Sequence, residues 1–355
     1  MKKSATYLFI FLNLALSAQI GGLRSYSFLS LPGPARANAL SGAAIAIWDN
    51  DVNLGYGNPA LLHPGSARQL SFNHVNFVSD LNYGNFAWAQ QLNKFGTLGL
   101  GLQYFSYGKF DGRDEYDVST GTFKAADYSL NISIAKPVNK DSSLSIGATL
   151  KTIYSHYESY SSAGNAVDVG LTYHDKKNMV ISLLAKNYGR MWKSYATGGT
   201  AEPLPFDLQL GFSKKVAKAP FRLIVQYDQL LKWDLTYTTT VNQSTSDPFG
   251  TQTTAKTDKE IRNEKISKGL DRFGRHITLA TEIILGKNVF IRVGYNFRKG
   301  KELSLPDKRA VNGFSAGFGV KIIKFHLNYA YSKYALNGNS HTFGITTNLN
   351  YFHKK

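Results

Sequence analysis

The sequence predicts an all-β protein, a transmembrane antiparallel β-barrel of about 14 strands with an N-terminal plug in its lumen. Segments of about ten residues alternate apolar side chains with small or polar ones from Arg68 to the C-terminus. Such alternation places one face of a strand in lipid and the other in water. After residue 18 no stretch approaches the roughly 20 apolar residues that a membrane helix needs. A closed barrel is therefore the spanning structure that this chain can form.

The individual strands show this alternation clearly. In residues 143–154 one face carries Leu144, Ile146, Ala148 and Leu150, and the other carries Ser145, Gly147, Thr149 and Lys151. The predicted strands cover residues 68–78, 81–92, 96–107, 125–138, 142–154, 165–174, 179–188, 205–216, 220–232, 274–285, 288–298, 311–322, 324–334 and 340–351. Short turns alternate with long loops between them, apart from the short connection at 79–80. Because bacterial barrels have short periplasmic turns, both termini are predicted to be periplasmic.

The composition supports an exported barrel. Only 18% of the residues are charged, against about a quarter in soluble domains, and the chain contains 21 Tyr, 22 Phe and 32 Gly. The absence of cysteine excludes disulfides, thiolate metal sites and thiol catalysis. The formal net charge is +17, and loss of Lys2 and Lys3 with a leader gives +15. This basic excess either lines loops, turns and lumen or contacts lipopolysaccharide phosphates or an acidic partner; no nucleic-acid partner is expected.

The chain divides into three predicted parts. Lys2 and Lys3 followed by an apolar stretch and the small residues Ser17 and Ala18 are typical of a secretory signal peptide cleaved after Ala18. The predicted parts are a signal peptide at 1–18, a plug or hatch segment at 19–67 and a barrel at 68–355. Export and a barrel together predict an integral protein of the bacterial outer membrane.

The segment before the barrel differs from the strands in composition and in hydrophobic pattern. It is rich in Ala, Gly and other small residues and shows little alternation, so it is predicted to fold as a compact plug rather than as wall. Its candidate motif residues are Asp49, Asp51, Asn53, Asn58, Pro59 and Ala60. The oxygens of Asp49, Asn50, Asp51 and Asn53 could also hold calcium, but the Gly and distal Glu of an EF-hand loop are missing, which favours a polar turn without metal.

No pattern in the chain indicates catalysis. Residues 313–317 match G-x-S-x-G, but the strand alternation runs through them, so Ser315 is predicted to face the lumen and not to form a nucleophile elbow. The histidines lack zinc-ligand spacing, and His174, His326 and His341 are predicted to be polar lumen or rim residues. We therefore expect no enzyme activity, no catalytic residue, no metal and no cofactor.

The long loops carry the remaining candidate features. Trp192, Tyr195, Trp233 and Tyr237 are the candidate residues for binding a partner. In the longest loop, residues 257–260 fit a capping box, with possible pairs Asp258–Arg262 and Glu264–Lys268. The resulting helix is expected to end at Gly269.

Two resemblances follow from these residues. The Asn58-Pro59-Ala60 element after an Ala/Gly-rich stretch resembles the hatch of the long-chain fatty acid transporter family, which precedes a fourteen-stranded barrel. An ordered set of segments is similar to the PorQ family of the type IX secretion system of Bacteroidetes. These segments are residues 26–32, 35–37, 48–54, 58–62, 80–85, 103–110, 150–155, 219–222 and 345–349.

The PorQ resemblance implies an outer-membrane component of the attachment complex, with PorZ, PorU, PorV and lipopolysaccharide as partners. It implies no catalytic residue, because PorU cleaves the cargo in that system. The alternative is an outer-membrane channel for hydrophobic small molecules such as fatty acids.

Overall fold

The computed structural model describes residues 24–77, 80–196, 198–199, 201–236, 258–303, 312–333 and 338–352. Fourteen strands form a closed antiparallel barrel in which every strand pairs with its neighbours along the chain and β1 pairs with β14. The strands are β1 (Gln69–Asn76), β2 (Asn82–Leu92), β3 (Gly96–Arg113), β4 (Ser119–Pro137), β5 (Leu144–Tyr157), β6 (Tyr160–His174), β7 (Met179–Lys193), β8 (Asp207–Lys215), β9 (Phe221–Tyr227), β10 (Ile277–Leu285), β11 (Val289–Asn296), β12 (Phe314–Ile322), β13 (Phe325–Lys333) and β14 (Asn339–Asn348).

The fold class predicted from the alternation is confirmed. In β5 the side chains of Ser145, Thr149 and Lys151 are buried, whereas Ile146 and Leu150 are exposed. The same pattern in the other strands gives the barrel an apolar outer surface and a polar inner one. That arrangement is the one that lipid outside and a polar lumen require.

The β3–β4 hairpin is longer than predicted. Residues 108–113 and 119–124, expected in a loop, belong to strands. The register shifts between Ser106 and Lys109, where Gly108 has a φ of 86°. Such a bulge adds a residue to one strand and interrupts the period-2 pattern, which explains why the alternation ended too early. At β9 the prediction was too long, because the strand ends at Tyr227.

Four α-helices lie in the described residues: α1 (Ala35–Ala39), α2 (Val52–Gly57), α3 (Asp258–Arg275) and α4 (Phe297–Glu302). The prediction that α3 ends at Gly269 is wrong. Asp271 pairs with Arg275 at 2.9 Å and with Lys301 at 3.4 Å, so contacts beyond Gly269 support the last turns. Thr257 of the predicted capping box, and the side chains of Asp258 and Glu264, lie outside the description. None of the described helices has the length and apolar character of a membrane span.

Residues 24–66 contact the inner side of the barrel. The α1 helix contacts β1 and β11–β14, whereas the short 3₁₀ helix Pro59–Leu61 contacts β4, β5 and β6. These two groups of strands lie in separate parts of the closed ring. The N-terminal segment therefore crosses the interior of the barrel. The predicted signal peptide at 1–18 lies outside the described residues.

Two wall glycines allow this segment to approach the strands closely. A Cβ atom at Gly147 of β5 would collide with the backbone of Pro59 and Ala60, and one at Gly170 of β6 would collide with the Asn58 side chain. Neighbouring backbones can approach this closely only where the wall residue has no side chain. These lumen-facing glycines therefore mark where the N-terminal segment lies against the wall.

The orientation in the membrane stays a prediction, and the cysteine-free sequence makes it simple to test. Glu115 lies at the tip of the β3–β4 hairpin, and Lys177 lies in the short turn between β6 and β7. A membrane-impermeant maleimide added to intact cells should label a Glu115→Cys variant and not a Lys177→Cys variant. Both should be labelled after lysis. Labelling of only the Lys177→Cys variant in intact cells would reverse the orientation.

Candidate functional site

A buried cluster of charged side chains joins the N-terminal segment to the barrel. Its centre is Glu282 of β10, which is fully buried. The Glu282 carboxylate accepts hydrogen bonds from Arg36 of α1 at 2.8 Å, from Arg222 of β9 at 2.7 Å and from Arg292 of β11 at 2.8 Å. Three guanidinium groups thus converge on one carboxylate.

Two further carboxylates from the N-terminal segment balance these charges. Arg36 pairs with Asp49 at 2.5 Å and with Asp51 at 3.1 Å. Arg222 donates to both carboxylate oxygens of Asp49 at 2.8 Å. Burial alone would raise the pKa of Asp49, but Arg36 and Arg222 outweigh that effect and hold the pKa below its usual range. The cluster therefore contains three arginines and three carboxylates that pair with one another.

The predicted motif residues hold the N-terminal segment in place. Asp51 caps α2 by accepting from the Asn53 backbone N–H at 3.0 Å. The Asn53 side-chain oxygen accepts from Ser71 and Asn73 of β1, each at 2.8 Å. Asp49 and Asp51 contact arginines in this arrangement. Among the described residues, no three or more His, Asp or Glu side chains are grouped as a metal site.

Asn58 secures the other end of the segment. Its side-chain oxygen accepts from the Ala60 backbone N–H at 3.1 Å, which caps the short Pro59–Leu61 helix. Its amide nitrogen donates to the Ile45 carbonyl at 2.8 Å and lies 3.3 Å from the Thr172 hydroxyl of β6. The Asn-Pro-Ala element thus links two parts of the segment to the wall.

Two cavities lie on either side of the charged cluster, and Arg36 lines both. The loop-side cavity has a volume of about 340 Å³ and lies toward the long loops. From that part of the wall it is lined by Lys186, Asn187, Pro205, Asp207, Gln209, Gln226, Asp228 and Gln229. The turn-side cavity has a volume of about 450 Å³ and lies toward the short turns, where Lys287 and Lys324 reach it. The charged cluster is therefore a partition within the lumen.

The loop-side cavity is amphipathic. The N-terminal segment contributes nearly all of the apolar side chains that line it, together with polar ones that include Arg24, Arg36 and Asn53, and the barrel wall contributes further polar ones. The apolar side includes Leu29, Leu31, Ile45 and Leu54, and the polar side includes Gln103, Asn131, Lys151, Asn187, Asp207 and Asp228. Such a lining suits a small molecule with an apolar body and a polar group.

The wall beside this cavity is irregular. Asn187 of β7 has a φ of 60°, and the β6–β7 register shifts between Val167 and Val169. The Asp168 carboxylate accepts from the Asn187 backbone N–H at 2.7 Å and pairs with the buried Lys151 at 2.7 Å. These contacts stabilise a β-bulge, a feature that interrupts the regular pairing of strands. The pairing between β7 and β8 ends at Lys186. Beyond it, among the described residues, a single isolated bridge joins Arg190 of β7 to Pro203, which precedes β8.

Sequence reasoning missed the charged cluster and this bulge. A charged side chain on the lumen face of a strand was the available signal, since Lys151, Asp168, Arg222, Glu282 and Arg292 all interrupt an otherwise small and polar face. The alternation assigned the face of Lys151 but could not assign a partner to any of these residues.

The candidate partner residues occupy different surroundings. Trp192 and Trp233 are exposed, at 63% and 58%. Tyr195 is half-buried, donates to the Ser155 hydroxyl at 2.7 Å and packs 5.2 Å from the Tyr157 ring, so it packs against β5 rather than lying free in a loop. Tyr237 lies outside the described residues.

Ser315 and the three histidines lie in strands of the barrel wall. Ser315 lies within β12, is buried and pairs in register with Gly294 and Ser332, so the G-x-S-x-G match forms no elbow. His174 stacks on Trp48 at 4.0 Å, and His341 contacts the Tyr329 hydroxyl at 2.7 Å. His326 lines the turn-side cavity.

Comparison with known proteins defines the class of fold. No protein-family model matches the chain, and no curated protein matches it significantly. The structure is similar to the toluene transporter TbuX of Ralstonia pickettii, with a TM-score of 0.51 and 11% identity over 90% of this chain and 99% of that one. It is similar to a deletion mutant of the monoaromatic hydrocarbon channel TodX, with a TM-score of 0.51 and 13% identity over 90% and 100% of the two chains.

A third structure agrees with these two. A FadL homologue of Pseudomonas aeruginosa matches with a TM-score of 0.50 and 11% identity, over 90% of this chain and 98% of that one. At this identity the likeness concerns the fold. The chain thus has the FadL-like fold, a closed barrel of fourteen antiparallel strands.

The charged cluster leads to a stability prediction. A Glu282→Gln variant leaves three buried arginines with two carboxylates, and breaking a buried ion-pair network of this kind costs about 3–5 kcal/mol. The Asp117→Asn variant is the control, because it breaks an exposed pair, Arg113–Asp117, which contributes at most about 1 kcal/mol. Urea unfolding in lipid vesicles measures both. Equal stability of the two variants would contradict the structural role of the cluster.

Proposed function

We propose that this protein is an integral outer-membrane barrel that takes a hydrophobic small molecule with a polar group into its loop-side cavity. The observation that carries the proposal is the amphipathic lining of that 340 Å³ cavity, which combines apolar side chains of the N-terminal segment with polar side chains of the segment and the wall. The similar solved structures support it, since two of them are named a toluene transporter and a hydrocarbon channel.

The route of the molecule follows from the charged cluster. A straight passage through the lumen would bring an apolar molecule against three arginines and three carboxylates, and displacing their partners is costly. The irregular wall at Asn187 borders the same cavity. An apolar molecule that leaves there enters the membrane rather than the charged partition. The N-terminal segment accordingly acts as a plug, and the barrel acts as a lateral path for hydrophobic molecules.

A cavity-filling variant tests this function. Ala37 of α1 lines the loop-side cavity and is half-buried, so an Ala37→Trp variant should occupy the space of the ligand. We expect toluene or decanoate to bind the full chain in nanodiscs saturably, and the variant to bind at least about tenfold more weakly, as for the loss of several apolar contacts.

An Ala217→Trp variant is the matched control, because Ala217 is exposed in a short turn and does not line the cavity. It should bind like the unaltered protein. Calorimetry measures all three proteins. Absence of saturable binding to the unaltered chain, or equal weakening in both variants, would contradict the proposal.

The second candidate function is a component of the type IX secretion attachment complex that docks PorZ, PorU or PorV and contacts lipopolysaccharide. The PorQ resemblance, the basic net charge and the exposed Trp192 and Trp233 favour it. In this role the plug seals the lumen, and the loops carry the function.

A pull-down from outer membranes separates the two candidates. If the second holds, PorZ copurifies with the unaltered chain and is lost from a Trp192→Ala/Trp233→Ala variant, whose binding of decanoate is unchanged. Copurification without binding of any hydrophobic molecule would favour secretion over transport. Binding without copurification would favour transport.

A further inference from the structure

The turn-side cavity has a chemistry different from that of the loop-side cavity. Four lysines line it: Lys215 at the end of β8, Lys287 between β10 and β11, Lys321 in β12 and Lys324 between β12 and β13. They come from separate parts of the sequence and meet because the barrel places their turns around one opening. The two carboxylates that also line the cavity are those of Asp49 and Asp51.

These lysines have no acidic counterpart in the described part of the chain. Asp49, Asp51 and Glu282 are already paired with Arg36, Arg222 and Arg292, in equal numbers. No described carboxylate lies within 4.0 Å of the Lys215, Lys287, Lys321 or Lys324 amine. The cavity therefore carries a net positive charge, which concentrates anions in a confined space.

Arg292 provides a second observation at the same cavity. It is 1% exposed and lines the cavity. Its Nε donates to Glu282 and its Nη1 donates to Asn328, each at 2.8 Å, but among the described residues its buried Nη2 has no acceptor. The Nε2 of His326, on the same wall, also has none. Buried polar groups without partners are costly, and a ligand oxygen is one way to satisfy them.

Aromatic and apolar side chains form another part of the cavity wall. Trp48, Ile284, Phe290, Phe325 and Tyr351 line it beside the lysines. An ion that binds there can carry an apolar portion against these side chains while its oxygens contact the cations.

We propose that the turn-side cavity binds a phosphate or carboxylate group, either as a free anion or as the headgroup of an amphiphile. Lysine ammonium groups at the turns provide the charge, and Arg292 provides the buried donor. This site is separate from the loop-side cavity, on the other side of the charged partition, and does not depend on the transport of a hydrophobic molecule.

Calorimetry of the full chain in an uncharged maltoside detergent tests the proposal. The probes are inorganic phosphate, decanoate, dihexanoyl phosphatidic acid and, as the zwitterionic comparison, dihexanoyl phosphatidylcholine. We expect saturable binding of at least one anionic probe at the turn-side cavity, and weaker binding at higher salt. A Lys287→Gln/Lys324→Gln variant should bind it at least about tenfold more weakly, because it loses two charge-assisted contacts. Any decanoate binding to the loop-side cavity is unaffected by this variant, which separates the two sites.

A Lys140→Gln/Lys177→Gln variant is the matched control. Both lysines lie in exposed short turns at the same end of the barrel and do not line the cavity. The control loses the same charge and should retain binding to within about twofold. Binding of phosphate alone would identify a free-anion site, and binding of phosphatidic acid or decanoate alone would identify an amphiphile site.

Three results would overturn the proposal. They are no saturable binding of any anionic probe, equal weakening in the two double variants, and binding of a hexaglutamate peptide in place of the small anions. The last result would identify a surface for an acidic protein instead.

Discussion

The buried ion-pair cluster around Glu282 is the interaction on which the rest of this structure depends. It joins Arg36, Asp49 and Asp51 of the N-terminal segment to Arg222, Glu282 and Arg292 on three consecutive strands. A buried charge is costly unless it is paired, and in this cluster every carboxylate pairs with at least one arginine. On the opposite wall close packing holds the segment, because glycines of β5 and β6 let Pro59 and Asn58 lie against these strands. Charge on one side and close packing on the other fix the position of the segment.

The same cluster divides the lumen into two spaces of different chemistry. Apolar side chains of the N-terminal segment, such as Leu29 and Ile45, line the loop-side cavity beside polar side chains of the wall, so this cavity is amphipathic. Because the cluster uses the carboxylates on the turn side, the lysines there are left to give that cavity its positive charge. One barrel thus contains two cavities of different chemistry, separated by the charged partition.

The fold could be predicted because the period of a strand is two residues and lipid imposes it on every strand. The alternation placed Ser145 and Ile146 on opposite faces, as the structure does. It failed at Gly108 and at Asn187, where bulges shift the register and break the period. The site could be predicted only in part. Asp49, Asp51 and Asn58 were singled out as polar residues of the N-terminal segment, but Arg36 and Glu282 are 246 residues apart in sequence, and only the closed barrel brings them together.

The conductance of single channels in planar bilayers tests most directly whether the N-terminal segment closes the lumen. A chain that lacks residues 35–62 loses the segment but keeps all fourteen strands, since β1 begins at Gln69. Its assembly can be verified from its heat-modifiable mobility on gels. The intact protein should conduct very little, and the deletion variant should form a large, stable pore. Equal conductance of the intact protein and the assembled deletion variant would contradict the account.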